Sequence, residues 1–208
     1  MALLFEGYLY RFQREPQQAE TTGAQLLSLS EEHGFAYACD LARGVIGWAR
    51  ARLGQTGEGV SLIRQALTGL TEKGARVGNT DVLTRLAEAQ ALDGATLEAL
   101  DTVELALEGN PEELVFRPNT LWYRGALRLK MGQNELAEAD FRDAIRMAQR
   151  MSAKGWELRA AMSLARLWYD QGKRRQAYDL LAPVYSWFTE GFDALDLKDS
   201  KALLDQLA

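Results

Sequence analysis

Cysteine and histidine each occur once in these 208 residues, and proline four times. One cysteine excludes an internal disulfide and every multi-thiolate metal site, while one histidine removes the usual zinc and acid–base constellations. No apolar run approaches the roughly 18 residues of a membrane span. The opening segment, MALLFEGYLYRFQREP, has no basic stretch ahead of its apolar part and meets acid at Glu6, which argues against a secretory leader. A strong charge of either sign is missing too, since 24 Lys and Arg face 29 Asp and Glu for a formal net charge of -5. What is present is apolar: 47% hydrophobic residues, enough to fill a core and to exclude a disordered chain. A cytoplasmic protein is expected, with no cofactor and no metal.

Self-similarity is the dominant pattern. Small residues recur at Gly7, Gly47, Ala87, Gly125 and Ala165, spaced 40, 40, 38 and 40. A second column, Ala19, Gly59, Ala99, Ala137 and Ala177, keeps the same spacings. A third, Gly54, Gly94, Gly132 and Gly172, falls between them, with Arg14 at the first equivalent position. Segments before each glycine, such as FAYACDLARGVIGWARARLG and WELRAAMSLARLWYDQG, step their apolar residues by three and four without interior proline. That period belongs to amphipathic helices, and the glycine supplies a left-handed stop. Each repeat thus predicts helix A, a tight turn and helix B, with no strand. The two small columns are expected to face each other across the hairpin and let the axes approach, with bulky neighbours such as Leu83, Leu86, Leu121, Phe141, Leu164 and Leu181 burying around them. A hairpin cannot cover its own apolar face, so several must stack.

A single repeat domain over 1–208 is expected, with repeats near 1–34, 35–74, 78–109, 118–151 and 155–190. Gly109-Asn110-Pro111 and Pro118 make the joint between repeats three and four the least regular. Pro183 should bend the last helix B near Leu180 or Leu181. A capping helix over about 197–207 is expected, N-capped by Asp196. The first residues start inside a helix with Leu3, Leu4 and Phe5, which suggests that the natural chain continues upstream.

Leu at position 4 of the repeat, Gly or Ala at 8, Gly at 15, Ala at 20, a bulky residue at 24 and Ala at 27 resemble the tetratricopeptide repeat. Leu121, Gly125, Gly132, Ala137, Phe141 and Ala144 match best, whereas the first repeat has Gly23 at the bulky place and Leu26 at the small one. The resemblance implies an all-α, right-handed superhelical solenoid of antiparallel hairpins, in a long-helix variant. The last sixty residues, from AKGWELRAAMSLARLWYDQGK onward, resemble the C-terminal end of bacterial signalling ATPases that carry adenylate or guanylate cyclase-like or DNA-binding modules. This implies a regulatory or scaffolding segment without its catalytic parts. No G-x-x-x-x-G-K-[ST] phosphate loop and no recognisable pair of metal-binding aspartates occurs.

In such a stack the A helices line the concave face. The repeat positions that usually look into it hold Leu4, Tyr8, Arg11, Leu41, Trp48, Asp81, Thr84, Glu88, Asn119, Trp122, Leu129, Arg159, Met162, Arg166 and Tyr169. Aromatic rings and guanidinium groups give contact area and fixed pairing geometry. Tyr8, Arg11, Trp48, Glu88, Trp122, Arg159, Met162, Arg166 and Tyr169 are therefore the candidate residues for a protein or peptide, including upstream domains of the same parent chain. The plainer alternative is that these rings seal neighbouring hairpins. Residues 79–113 hold nine acids and one base, and 150–175 hold seven bases and two acids. This asymmetry could steer a partner or a head-to-tail association of the chain with itself, or be a solvated surface. The acidic balance and lack of a recognition helix argue against nucleic acid.

Cys39 and His33 lack an orienting third group, so a buried small thiol and a helix-end histidine are expected rather than a nucleophilic pair. The aromatic run from Tyr185 to Phe192 is expected to pack after Pro183 rather than to form a binding box. The function expected is a non-enzymatic binding module; the alternative is a small-molecule sensor or enzyme with an aromatic and arginine-lined pocket.

Overall fold

The computed structural model describes residues 2–75, 78–109 and 111–208. Among them there are eleven helices and no strand, arranged as antiparallel hairpins followed by one terminal helix. The helices are α1 (Ala2–Gln13), α2 (Pro16–Glu32), α3 (Ala36–Arg52), α4 (Thr56–Glu72), α5 (Asn79–Leu92) and α6 (Thr96–Gly109). They continue as α7 (Arg117–Lys130), α8 (Asn134–Arg150), α9 (Lys154–Asp170), α10 (Arg174–Tyr185) and α11 (Leu195–Leu207). Asn110 of the expected irregular joint lies outside the described residues. The chain divides into two compact units, residues 1–113 and 114–208, with the division at that joint.

The hairpin turns follow from one backbone requirement. Gly54, Gly94, Gly132 and Gly172 have φ of 93°, 90°, 74° and 76°, the left-handed region that glycine enters without a Cβ penalty. Arg14, in the same column, takes φ 62° despite its side chain. Close approach explains the small columns: a Cβ on Gly59 would come 2.5 Å from the carbonyl oxygen of Gly47, so only glycine fits there. Gly7 differs from the expected pairing across its own hairpin. Its added Cβ would meet Val45 of α3 at 3.2 Å, and one on Gly23 of α2 would meet Ile46 at 2.9 Å, so both glycines leave room for α3 of the second repeat.

In unit 1, Leu4, Leu26, Leu41, Ile63, Leu70, Val82 and Leu86 form one apolar core across α1 to α5. Leu83 is only half-buried. In unit 2, Phe141, Leu158, Leu164, Leu181 and Leu203 are fully enclosed. Arg124 and Arg128 of α7 both reach the buried Asp140 of α8, at 2.6 and 2.9 Å, and fix that hairpin by charge as well as by packing. The last helix begins at Leu195 with Ala194 as its N-cap, which corrects the expected cap at Asp196. Asp196 lies in the first turn of α11, and its carboxylate is taken by Arg159. Pro183 sits inside α10, two residues before the helix ends.

Candidate functional site

The candidate residues of unit 1 come together, and their polar groups are spent on one another. Arg11 of α1 donates from Nη1 to Asp81 Oδ1 at 2.8 Å and from Nη2 to Glu88 Oε1 at 2.7 Å. Trp48 of α3 donates from Nε1 to the other oxygen of Glu88 at 2.6 Å. The Arg11 guanidinium carbon is 5.9 Å from the Trp48 ring centre. Arg85, one turn along α5, pairs with the second oxygen of Asp81 and lies 4.5 Å over the Tyr8 ring. Burial works against the charge on Arg11, but Asp81 and Glu88 outweigh it and hold its pKa above the ordinary value. Burial raises the pKa of the Tyr8 phenol, against the lowering effect of Arg85. Arg11 is 4% exposed and Trp48 3%, so these side chains join α1, α3 and α5 rather than facing solvent.

Unit 2 is different. Trp122 of α7 is half-buried, donates to Ser163 Oγ at 2.8 Å, and lies under the Arg159 guanidinium at 5.4 Å. Arg159 in turn donates from Nε to Asp196 at 2.9 Å, which ties α9 to the terminal helix. Beside these residues a cleft of about 340 Å³ opens between α7 and α9. Ala126, Leu129 and Met162 line it with Phe141, while Lys130, Ser163, Arg166 and Asp170 supply its polar groups. Arg166 and Tyr169 are exposed, and Arg166 makes no hydrogen bond or ion pair among the described residues. Of the nine candidates, Met162 and Arg166 thus line an open cleft, with Tyr169 exposed on the same helix. Lys130, Ser163 and Asp170 were not among them. The i, i+4, i+8 spacing of Met162, Arg166 and Asp170 on one helix face is the signal that could have identified Asp170.

The charge asymmetry is partly consumed internally. Asp81 and Glu88 neutralise Arg11 and Arg85, and Glu113 accepts from the backbone N–H groups of Gly78 and Thr80 at the start of α5. Arg159 and Lys154 of the basic segment pair with Asp196 and Glu157. Cys39 is a buried free thiol, and His33 is the C-cap of α2. In the aromatic run Tyr185 packs against Phe192, with ring centres 6.1 Å apart. Trp187 is nonetheless 58% exposed, touching Phe188 edge-on and Lys154. Among the described residues there is no group of three or more His, Cys, Asp or Glu placed to hold a metal ion, and no helix is long and apolar enough to cross a membrane.

No family model matches the chain, and no curated protein matches it either. Solved structures do. The chain is similar to BtubC (BKLC) from P. vanneervenii at a TM-score of 0.70 and 16% identity, covering 92% of this chain and 89% of that one. It is similar to a Signal Transduction ATPase with Numerous Domains with a tetratricopeptide repeat sensor from Pyrococcus horikoshii, at a TM-score of 0.69 and 13% identity, with 94% of this chain spanning 34% of that one. Pseudomonas aeruginosa pilF matches at a TM-score of 0.62 and 16% identity over 99% of this chain and 87% of that one. At these identities the likeness shows the fold alone, a tetratricopeptide-like repeat of paired helices.

Proposed function

We propose that this chain is a non-catalytic scaffold module that binds a protein or peptide, and that the partner seats along α7 and α9 of unit 2. The observation that carries this reading is the cleft between those helices: an apolar floor of Leu129 and Met162 beside an exposed Arg166 with no internal ion-pair partner among the described residues. An apolar side chain next to a carboxylate would satisfy both parts, as in an acidic peptide segment crossing the two helices. The parent in this reading is a cytoplasmic bacterial signalling protein, and the partner includes upstream domains of the same chain. Two things favour that parent: the resemblance of the last sixty residues to the ends of cyclase-like or DNA-binding signalling ATPases, and the likeness to a signalling ATPase whose repeat region is described as a sensor.

The test is capture of a partner, identified by mass spectrometry, on the wild-type chain and on an Arg166→Glu, Tyr169→Ala double variant. Both side chains are exposed, so the variant should melt within about 0.5 kcal/mol of wild type. Loss of affinity by about tenfold or more supports the reading. Equal affinity of both proteins for the partner contradicts it, and tight binding of an acidic metabolite without any protein partner would favour a small-molecule sensor instead.

A further inference from the structure

We propose that the unit 2 cleft takes the outer face of α6 from a second copy of this chain, so that the protein associates head to tail with itself. The proposal rests on the reading of the cleft given above and names its partner. One face of α6 carries Leu97, Asp101, Glu104, Leu105 and Glu108, whose spacing is that of a single helical stripe. Leu97 is 68% exposed and Leu105 57%. Asp101 and Glu108 are exposed too, and they make no hydrogen bond or ion pair among the described residues. The repeat does not require this face. At the places 40 residues earlier, α4 carries Gly57, Ser61, Arg64, Gln65 and Thr68, all exposed, with no leucine and no acid. The hairpin is thus built without such a stripe, and two exposed leucines among carboxylates mark a contact surface.

The complementary surface is on the same chain. The cleft has Leu129 and Met162 for an apolar floor, and two cations, Lys130 and Arg166, against one acid, Asp170. α6 holds four acids and no base. Its leucines suit the floor and its carboxylates suit Arg166, as when an amphipathic helix lies in a groove between two others. The lengths agree as well. Leu97 to Leu105 spans about 12 Å of helix, and so does Met162 to Asp170 along α9. The two surfaces are different patches, so the contact is heterologous: each copy in a pair keeps one α6 face and one cleft for further copies, and association grows with concentration until a ring closes.

The experiment follows the full chain by sedimentation velocity from about 1 μM to about 1 mM. The mean mass of wild type should rise across that range. Two variants each disable one surface: Arg166→Glu in the cleft, and Leu97→Ser with Leu105→Ser on α6. All three positions are exposed, so both variants should keep the Tm of wild type. Each alone should associate about tenfold or more weakly than wild type. An equimolar mixture should form a heterodimer and nothing larger, because the intact α6 of the Arg166→Glu chain can enter the intact cleft of the other, while the remaining two surfaces are disabled. A wild-type mass that does not change with concentration overturns the proposal. So does self-association that Arg166→Glu leaves intact, or a mixture that stays monomeric. The cleft reading fails separately: a monomeric wild type whose captured partner is still lost with Arg166→Glu, Tyr169→Ala removes the self-association and leaves that reading standing.

Discussion

The repeat pattern places Arg11 and Arg166 on the same kind of surface, yet one is enclosed by two carboxylates and the other reaches solvent. The reason is sequence distance. Arg11 finds Asp81 and Glu88 at separations of 70 and 77 residues, and a repeat register reports which face a residue occupies without reporting what lies opposite. The same enclosure gives Tyr8 a measurable signature. Burial raises its pKa above the ordinary 10.0, so the folded chain keeps the proton under conditions in which the unfolded chain releases it. Tyr8 therefore adds stability that is fully present below about pH 10 and is lost as pH rises through its folded value. Tyr8→Phe should show a shallower loss of unfolding free energy than wild type as pH rises above about 10, measured by urea denaturation. Identical slopes would mean that Tyr8 is not enclosed as described.

At the level of elements, most of the architecture was legible because it depends on short-range backbone chemistry. Positive φ at Gly54, Gly94, Gly132 and Gly172 is what their column demanded, and the helices end within a few residues of those glycines. What was not legible depends on long-range contacts. Asp196 looked like an N-cap by local rules, but Arg159, 37 residues away, takes its carboxylate. Trp187 was expected to pack, and although it touches Phe188 and Lys154 it is left 58% exposed. Two glycine exchanges test the backbone account with opposite signs. Gly59→Ala should cost about 1–3 kcal/mol, because its methyl would collide with the Gly47 carbonyl and separate α3 from α4. Ser152→Gly should stabilise by about 0.5 kcal/mol, because Ser152 holds φ 55° in the turn before α9. Both are read by chemical denaturation, and a neutral Gly59→Ala would count against close approach of the two axes.

At the scale of the whole molecule, two compact units use the same hairpin for different ends. Unit 1 pairs the charges of Arg11, Asp81, Arg85 and Glu88 with one another, and removing a single partner, which would leave a buried charge unpaired, costs about 3–5 kcal/mol. Unit 2 leaves a cleft open between α7 and α9. The fold class was readable from three columns of small residues; the difference between the units was not, because it arises from pairings between repeats rather than within them. The most direct test of the account is hydrogen–deuterium exchange on the chain with and without its captured partner. Slower exchange in α7 and α9 on binding, centred on the segments that carry Leu129 and Met162 to Arg166, is the predicted result. Binding of the partner with unchanged exchange in both helices would contradict the account.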